Sequence, residues 1–279
     1  MAAEEPAGRS AQTDALWADV RIDPVEIALP GGVGYTLRAY RSSTELAVPE
    51  IDRDAEPELD DFDAAAAAVV RRRRSDDDLD EDAEVDEFEE LVEEADDEAA
   101  EAEVDEDAEA DEDEDEQAEE VPVFLGRKGR IYLFHSPEKL VEFVRSGAEH
   151  DLTQLDSWDD VVARIRVEDV VAVPEDTYEL DLVVDNLRGG PDAWDPALIL
   201  KAGELARDLG FALRMEPLQV ALASGSPLDD LDEALRTAEA GGVGAFFARR
   251  RLRKTPAQQA SLAWRTIIGK ISAVADWRD

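Results

Sequence analysis

The sequence has no cysteine, only two histidines and no run of eighteen apolar residues. Without cysteine, the chain has no disulfides, thiolate nucleophiles or cysteine-ligated metals. Without a long apolar run, it has no segment suited to a membrane-spanning helix. The acidic N-terminus also lacks the basic and apolar regions of a signal peptide. We therefore predict a cytoplasmic protein with no membrane span.

Patterns that support catalysis or cofactor binding are equally scarce. His135 and His150 are too few for a metal site, and no motif places a nucleophile beside either of them. The Gly242-Val243-Gly244 stretch lacks the third glycine of a dinucleotide fingerprint and the ending of a phosphate loop. The acidic runs lack the spaced ligands of a calcium loop. We predict no enzymatic activity and no cofactor, with structural or surface roles for both histidines.

Basic residues are few: the sequence has 29 Lys and Arg against 71 Asp and Glu. Its formal net charge is therefore −42. Residues 50–120 hold 38 of the acidic residues and five arginines, a net charge of −33. The apolar residues there are mainly alanine, which cannot bury enough surface to offset the entropy of ordering. We predict a disordered acidic insertion over residues 46–120. We interpret Arg71–Arg74 inside it as part of a solvated helical turn, in preference to a nucleic-acid signal.

Strand signals flank this acidic stretch on both sides. Residues 20–45 contain two partly alternating runs joined by Pro30-Gly31-Gly32, which is typical of a strand pair. Residues 121–135 place an aromatic-rich run on each side of Gly126-Arg127-Lys128-Gly129, which predicts a hairpin.

Helical signals dominate from residue 136 onward. Capping residues predict helix starts at Ser136, Thr177 or Asp176, Asp192 or Asp195-Pro196, Ser226 and Thr255-Pro256. Gly210 is the expected end of the helix that starts at Asp195. Segments 166–174 and 211–223 fit either a helix or a strand.

Together these signals predict an α+β fold, in which a small antiparallel β-sheet packs with a mostly helical C-terminal region. We expect a disordered N-terminus over residues 1–19 and the first strands of the sheet in residues 20–45. The main domain is expected over residues 121–279, ending in an amphipathic helix.

One basic patch stands out in this acidic chain, at "GGVGAFFARRRLRKTP" over residues 241–256. We interpret its glycines as the end of one helix, its two phenylalanines as anchors to the core and its basic residues as an exposed cationic turn. Clustered basic residues also bind phosphate backbones, so a nucleic-acid factor autoinhibited by the acidic tract is the alternative. The candidate partner-contact surface is Phe246, Phe247, Arg249, Arg250, Arg251, Arg253 and Lys254.

Four stretches resemble a SatS-like actinobacterial family that is often labelled "primosomal protein". They are "GYTLRAYR", "FLGRKGRIYLFHSPEKLVEFVRSGAEHDLTQLDSWDDV", "FFARRRLRK" and "WRTIIGKISAVADW". The strongest match runs from Phe124 to Trp158 and consists of the order and spacing of core residues. The resemblance implies that the acidic tract is an insertion within one domain, with residues 33–41 pairing beside 121–126 and 130–135.

For function, the resemblance implies a cytosolic chaperone. Such a protein would bind selected secretory proteins and hold them for an accessory SecA-type ATPase export pathway. The implied partners are therefore client proteins and an accessory SecA, and nucleic acid is not favoured. The "primosomal" label finds no support in these residues, which contain no nucleotide motif, zinc site or recognised DNA-binding module.

Overall fold

The computed structural model describes residues 9–44 and 120–279, which form seven β-strands and nine α-helices. The predicted disorder of the acidic insertion and the interpretation of Arg71–Arg74 lie outside these residues. The strands are β1 Asp23–Leu29, β2 Gly32–Ser42, β3 Glu120–Phe124, β4 Gly126–Arg127, β5 Arg130–Phe134, β6 Thr177–Glu179 and β7 Ala275–Arg278. The helices are α1 Ala11–Val20, α2 Pro137–Arg145, α3 Trp158–Arg164, α4 Leu180–Arg188, α5 Pro196–Ala212, α6 Glu216–Ala221, α7 Pro227–Ala240, α8 Gly242–Lys254 and α9 Ala257–Val274.

All seven strands belong to one sheet, with the order β4-β5-β2-β1-β6, β3 beside β2, and β7 beside β5. β2 pairs antiparallel with β1, with β3 and, at Tyr35 and Phe134, with β5. This confirms the predicted pairing of residues 33–41 with the two strands that follow the acidic stretch. The short strands β6 and β7 add parallel pairs to β1 and β5, so the predicted antiparallel sheet carries two parallel additions.

The sheet has a separate hydrophobic core on each of its faces. Successive side chains of a strand point to opposite faces, and β5 shows this directly. Ile131 and Leu133 join the core formed with α4, α5, α7 and α9. Tyr132 and Phe134 join the core formed with α1, α2 and α3. The described residues therefore form three layers, with helices covering both sides of the sheet.

Residues 11–20 correct the prediction of a disordered N-terminus, because they form helix α1. Ser10 caps this helix by accepting a hydrogen bond from the Thr13 backbone N–H at 3.1 Å. Trp17 is buried and donates from Nε1 to the Asp169 carbonyl oxygen at 2.8 Å. The short apolar stripe of α1 is thus held by a turn more than 150 residues away in sequence.

Two predicted helix boundaries are also corrected. Thr177 begins strand β6 and α4 begins only at Leu180, because residues 177–179 pair with β1. Helix α5 continues past Gly210 to Ala212. At Gly210, a Cβ atom would lie 3.3 Å from the Leu218 Cβ, so glycine here permits close packing of α6 and does not end the helix. The predicted starts at Ser136, Asp195 and Ser226 are confirmed by side-chain caps.

The two ambiguous segments also have defined structures. Residues 166–174 contain a 3-10 turn at Val167–Asp169 and the start of a second at Pro174–Asp176. Residues 211–223 contain the end of α5 and the short helix α6.

A buried polar network joins the sheet to α5 through Arg38 on β2. The Arg38 guanidinium donates to Asp176 Oδ1 at 2.6 Å, to Asp208 Oδ2 at 2.9 Å and to the Tyr178 hydroxyl at 2.9 Å. The Tyr40 hydroxyl donates to the same Asp208 carboxylate at 2.5 Å. Burial raises the pKa of both carboxyls, and the Arg38 charge opposes that rise. One cation therefore satisfies two carboxylates from different elements.

Candidate functional site

The basic patch is a helix, α8, and not the exposed turn that the sequence predicted. Helix α7 ends at Ala240 with Gly241 as its C-cap, where φ is 80°, and α8 begins at Gly242, where φ is 74°. These left-handed backbone values favour glycine. The buried residues of α8 are Ala245, Ala248 and Leu252, at three- and four-residue spacing. This narrow buried face holds α8 against α7 and directs the rest of the helix toward solvent.

The two phenylalanines of α8 are exposed, which corrects the prediction that they anchor the segment to the core. Phe246 is 67% exposed and Phe247 is 49% exposed, and the neighbouring Val243 is 81% exposed. The Phe246 and Phe247 rings contact each other edge to face, with centroids 5.6 Å apart. Exposed apolar groups of this size, gathered on one helix, are typical of a surface that binds another molecule.

Helical geometry gives α8 a composite outer face. With 3.6 residues per turn, the side opposite the buried residues carries Val243, Phe246 and Phe247, then Arg250 and Lys254. We name these five residues the α8 outward face. Its first two turns are apolar and its last two are basic, over about 16 Å of helix.

The remaining basic residues of α8 flank this outward face. Arg251 forms an ion pair with Asp230 of α7 at 2.9 Å and lies 3.9 Å from Glu233. Arg253 lies 3.6 Å from Asp192, in the loop before α5. Within residues 9–44 and 120–279, no carboxylate lies within ion-pair distance of Arg249, Arg250 or Lys254. Acidic residues in the described part of the chain therefore form ion pairs with only some of the basic residues in the patch.

A groove runs along the side of α8 that carries Arg249 and Arg253. Its volume is about 510 Å³, and Trp194, Leu235 and Leu252 form its apolar floor. Two acidic residues, Asp192 and Glu239, also line this groove and offset the charge of its two arginines. The outward face, in contrast, has no acidic member.

The two histidines lie far from α8 in sequence and make aromatic contacts of their own. The His135 ring stacks on Trp277 of β7 with centroids 4.6 Å apart. His150 is buried edge-on against Trp158, with centroids 4.3 Å apart. Among the described residues, no group of histidine, aspartate and glutamate side chains is arranged to hold a metal ion.

His150 gives the protein an acid-sensitive core. Burial lowers its pKa from 6.5 to about 4, so between these values the unfolded chain binds a proton that the folded chain rejects. The contribution of His150 to stability is therefore full above about pH 6.5 and is lost as the pH drops toward 4. We expect His150→Leu to remove this loss, which amounts to about 2–3 kcal/mol between pH 7 and pH 4.5. Urea unfolding at pH 7 and pH 4.5 measures it.

The neighbouring Asp151 has the opposite effect on stability at acidic pH. It is present in both the wild type and the His150→Leu variant. Burial raises its pKa to about 6, so the folded chain holds a proton that the unfolded chain releases. The test therefore compares how the free energy of unfolding changes with pH in the wild type and in His150→Leu. His135→Leu, at an exposed ring, is the matched control and should keep the wild-type slope. An identical slope for His150→Leu would show that the buried imidazole does not govern acid stability.

The described residues therefore define a three-layer α+β protein that presents one helix with an apolar and basic outer face. None of its helices in the described part of the chain has the length and apolarity to cross a membrane. The family model described as the SatS C-terminal domain matches residues 116–271, more than half of the chain. The chain belongs to this family.

A solved structure agrees with this assignment at the level of the fold. It is titled as the crystal structure of a SatS C-terminal domain in complex with bromine. It superposes with a TM-score of 0.56 at 21% identity, covering 94% of this chain and 96% of that chain. No curated protein matches the chain.

Sequence reasoning found the basic patch but missed part of the surface. It named Phe246, Phe247 and the basic residues, and the structure brings these onto one helix. It did not include Val243, which lies on the same exposed face as the phenylalanines. The spacing of Val243, Phe246, Phe247, Arg250 and Lys254 by three and four residues is the signal that could have identified this face.

Proposed function

We propose that this protein is a non-enzymatic cytoplasmic chaperone, which binds selected secretory proteins and holds them for an accessory SecA-type export pathway. Membership of the SatS family supports this proposal. A chaperone of this kind needs a surface for unfolded or partly folded chains, and it needs neither a cofactor nor a catalytic group.

The observation that carries the proposal is the exposure of Val243, Phe246 and Phe247 on α8. Stability alone gives no reason for three neighbouring apolar side chains to face water, since the buried side of α8 holds the helix in place. Such a patch gains free energy when a partner's apolar surface covers it. The strongly negative chain also favours solubility of a client complex, because net charge far from zero opposes association.

The test replaces the two phenylalanines by serine. We expect the wild-type protein to suppress the aggregation of a denatured export substrate, followed by light scattering as the substrate is diluted from urea. Phe246→Ser with Phe247→Ser removes both exposed aromatic side chains of α8. We expect this double variant to need at least about fivefold more protein for the same suppression.

The matched control is Phe211→Ser, at the end of α5. Phe211 is 48% exposed, close to the 49% of Phe247, and it lies outside α8. It should leave suppression unchanged, and both variants should keep the wild-type melting temperature. Equal activity of the α8 variant and the wild type would remove α8 as the client surface. An inactive wild-type protein that also captures no secretory protein would contradict the proposed function.

A further inference from the structure

We propose that the α8 outward face selects acidic segments of client proteins, in which apolar side chains are followed one or two helical turns later by carboxylates. This inference rests on the proposed function and names the class of polypeptide that the surface takes. The apolar side chains would cover Val243, Phe246 and Phe247. The carboxylates would pair with Arg250 and Lys254.

The charge of the face is uncompensated within the described residues. Arg251 and Arg253 have the carboxylates of Asp230 and Asp192 beside them. Arg250 and Lys254, on the outward face, have no carboxylate of residues 9–44 or 120–279 within ion-pair distance. An acidic ligand therefore meets these two cations without first displacing an ion pair from the described chain.

The helix dipole explains only part of this arrangement. Basic residues in the last turn of a helix are stabilised by its negative C-terminal end, which accounts for Arg251, Arg253 and Lys254. It does not account for exposed phenylalanines one turn before Arg250. Apolar and cationic groups about 6 Å apart along one face match a ligand that offers apolar and anionic groups at the same spacing.

The overall charge of the protein argues for a protein ligand and against nucleic acid. Nucleic acid carries a negative charge at every phosphate, and the protein has a formal net charge of −42. A client segment with a few carboxylates experiences less of this repulsion. The basic N-terminal part of a signal peptide, in contrast, would meet Arg250 and Lys254 with charge of the same sign.

The experiment titrates the full chain into fluorescein-labelled peptides and follows anisotropy. One peptide of about sixteen residues holds two leucines followed by four glutamates, and its counterpart has lysine in place of each glutamate. We expect the acidic peptide to bind at least about tenfold more tightly than the lysine peptide at about 50 mM NaCl. We expect this preference to shrink at about 500 mM NaCl, where screening shortens the range of the charges.

Variants then assign the preference to α8. Arg250→Glu with Lys254→Glu should weaken the acidic peptide about tenfold, and the corresponding glutamine pair should weaken it by a smaller factor. The matched control is Arg188→Glu with Arg265→Glu, two exposed residues beside a different groove. This control should bind like the wild type. Melting temperatures verify that each variant is folded.

Three outcomes would overturn the inference. They are equal affinity for the two peptides, unchanged binding by the Arg250 and Lys254 variants, and tighter binding of a labelled single-stranded DNA than of the acidic peptide. Each can occur while aggregation suppression still depends on Phe246 and Phe247, in which case the proposed function stands alone. The reverse result, a selective acidic-peptide site in a protein that suppresses no aggregation, would contradict only the proposed function.

Discussion

Replacing Arg38 by methionine is expected to lower the free energy of unfolding by about 3–5 kcal/mol at pH 8. Arg38 is 6% exposed and its guanidinium contacts the carboxylates of Asp176 and Asp208 at 2.6 and 2.9 Å. Methionine keeps much of the apolar stem but removes the charge. Two largely buried carboxylates would then be left without their cation, and burying an unpaired charge is among the costliest changes in a protein.

The loss of unfolding free energy in Arg38→Met should be larger at high pH than at low pH. Burial already raises the pKa of Asp176 and Asp208, and the Arg38 charge opposes that rise. Without Arg38, the folded-state pKa values rise further above the unfolded values. The folded variant then binds protons that the unfolded chain releases, so its stability falls as the pH increases. The difference from the wild type should therefore be smaller at pH 5.5 than at pH 8, as measured by urea unfolding with tryptophan fluorescence.

Arg188→Met is the matched control for this prediction. Arg188 forms an exposed pair with Asp185 three residues earlier on α4, at 2.8 Å. Exposed pairs of this kind contribute at most about 1 kcal/mol, so the control should unfold close to the wild type. A loss below about 1 kcal/mol for Arg38→Met would mean that the network adds no net stability.

The sequence predicted those parts of the fold whose signals are local. The β1–β2 turn and the hairpin around Lys128 are marked by glycines beside alternating apolar runs. Helices α2, α5 and α7 are marked by Ser136, Asp195 and Ser226, whose side chains accept the capping hydrogen bonds. In each case the residues that form the element also define its start.

The sequence did not predict the elements that depend on distant partners. Strands β6 and β7 have three and four residues, and each is defined by its parallel pairing with β1 or β5. A strand of that length has no periodicity to detect. The resemblance to a known family supplied the pairing of β2 with the strands beyond the acidic stretch, which local pattern alone does not determine.

The candidate site illustrates the same limit. Helix α8 buries Ala245, Ala248 and Leu252, and two small alanines give almost no apolar stripe. The phenylalanines dominate the hydrophobicity of the segment, so the sequence alone predicts that they anchor it to the core. In the structure they face the opposite side of the helix. The sequence therefore located the surface but placed its aromatic residues in the wrong environment.

Helix α1 leads to the second large prediction, that Trp17→Ala lowers the free energy of unfolding by about 3–5 kcal/mol. Trp17 is 1% exposed and packs in the core on the α2 side of the sheet. Its Nε1 donates to the Asp169 carbonyl oxygen at 2.8 Å, and Thr13 donates to the Asp169 carboxylate at 3.0 Å. Alanine would leave a large cavity and would remove one of the two hydrogen bonds to the Asp169 carbonyl oxygen, which also accepts from the Val171 backbone N–H at 3.0 Å.

Urea unfolding followed by far-UV circular dichroism measures this loss without relying on the fluorescence of the removed tryptophan. Gln12→Ala is the control, because Gln12 is exposed on the same helix and alanine has the higher helix propensity. It should leave the unfolding midpoint near that of the wild type. If Trp17→Ala also unfolds at the wild-type midpoint, residues 11–20 do not belong to the cooperative core. The expected result instead places α1 within the folding unit, although its local sequence resembles that of a polar terminus.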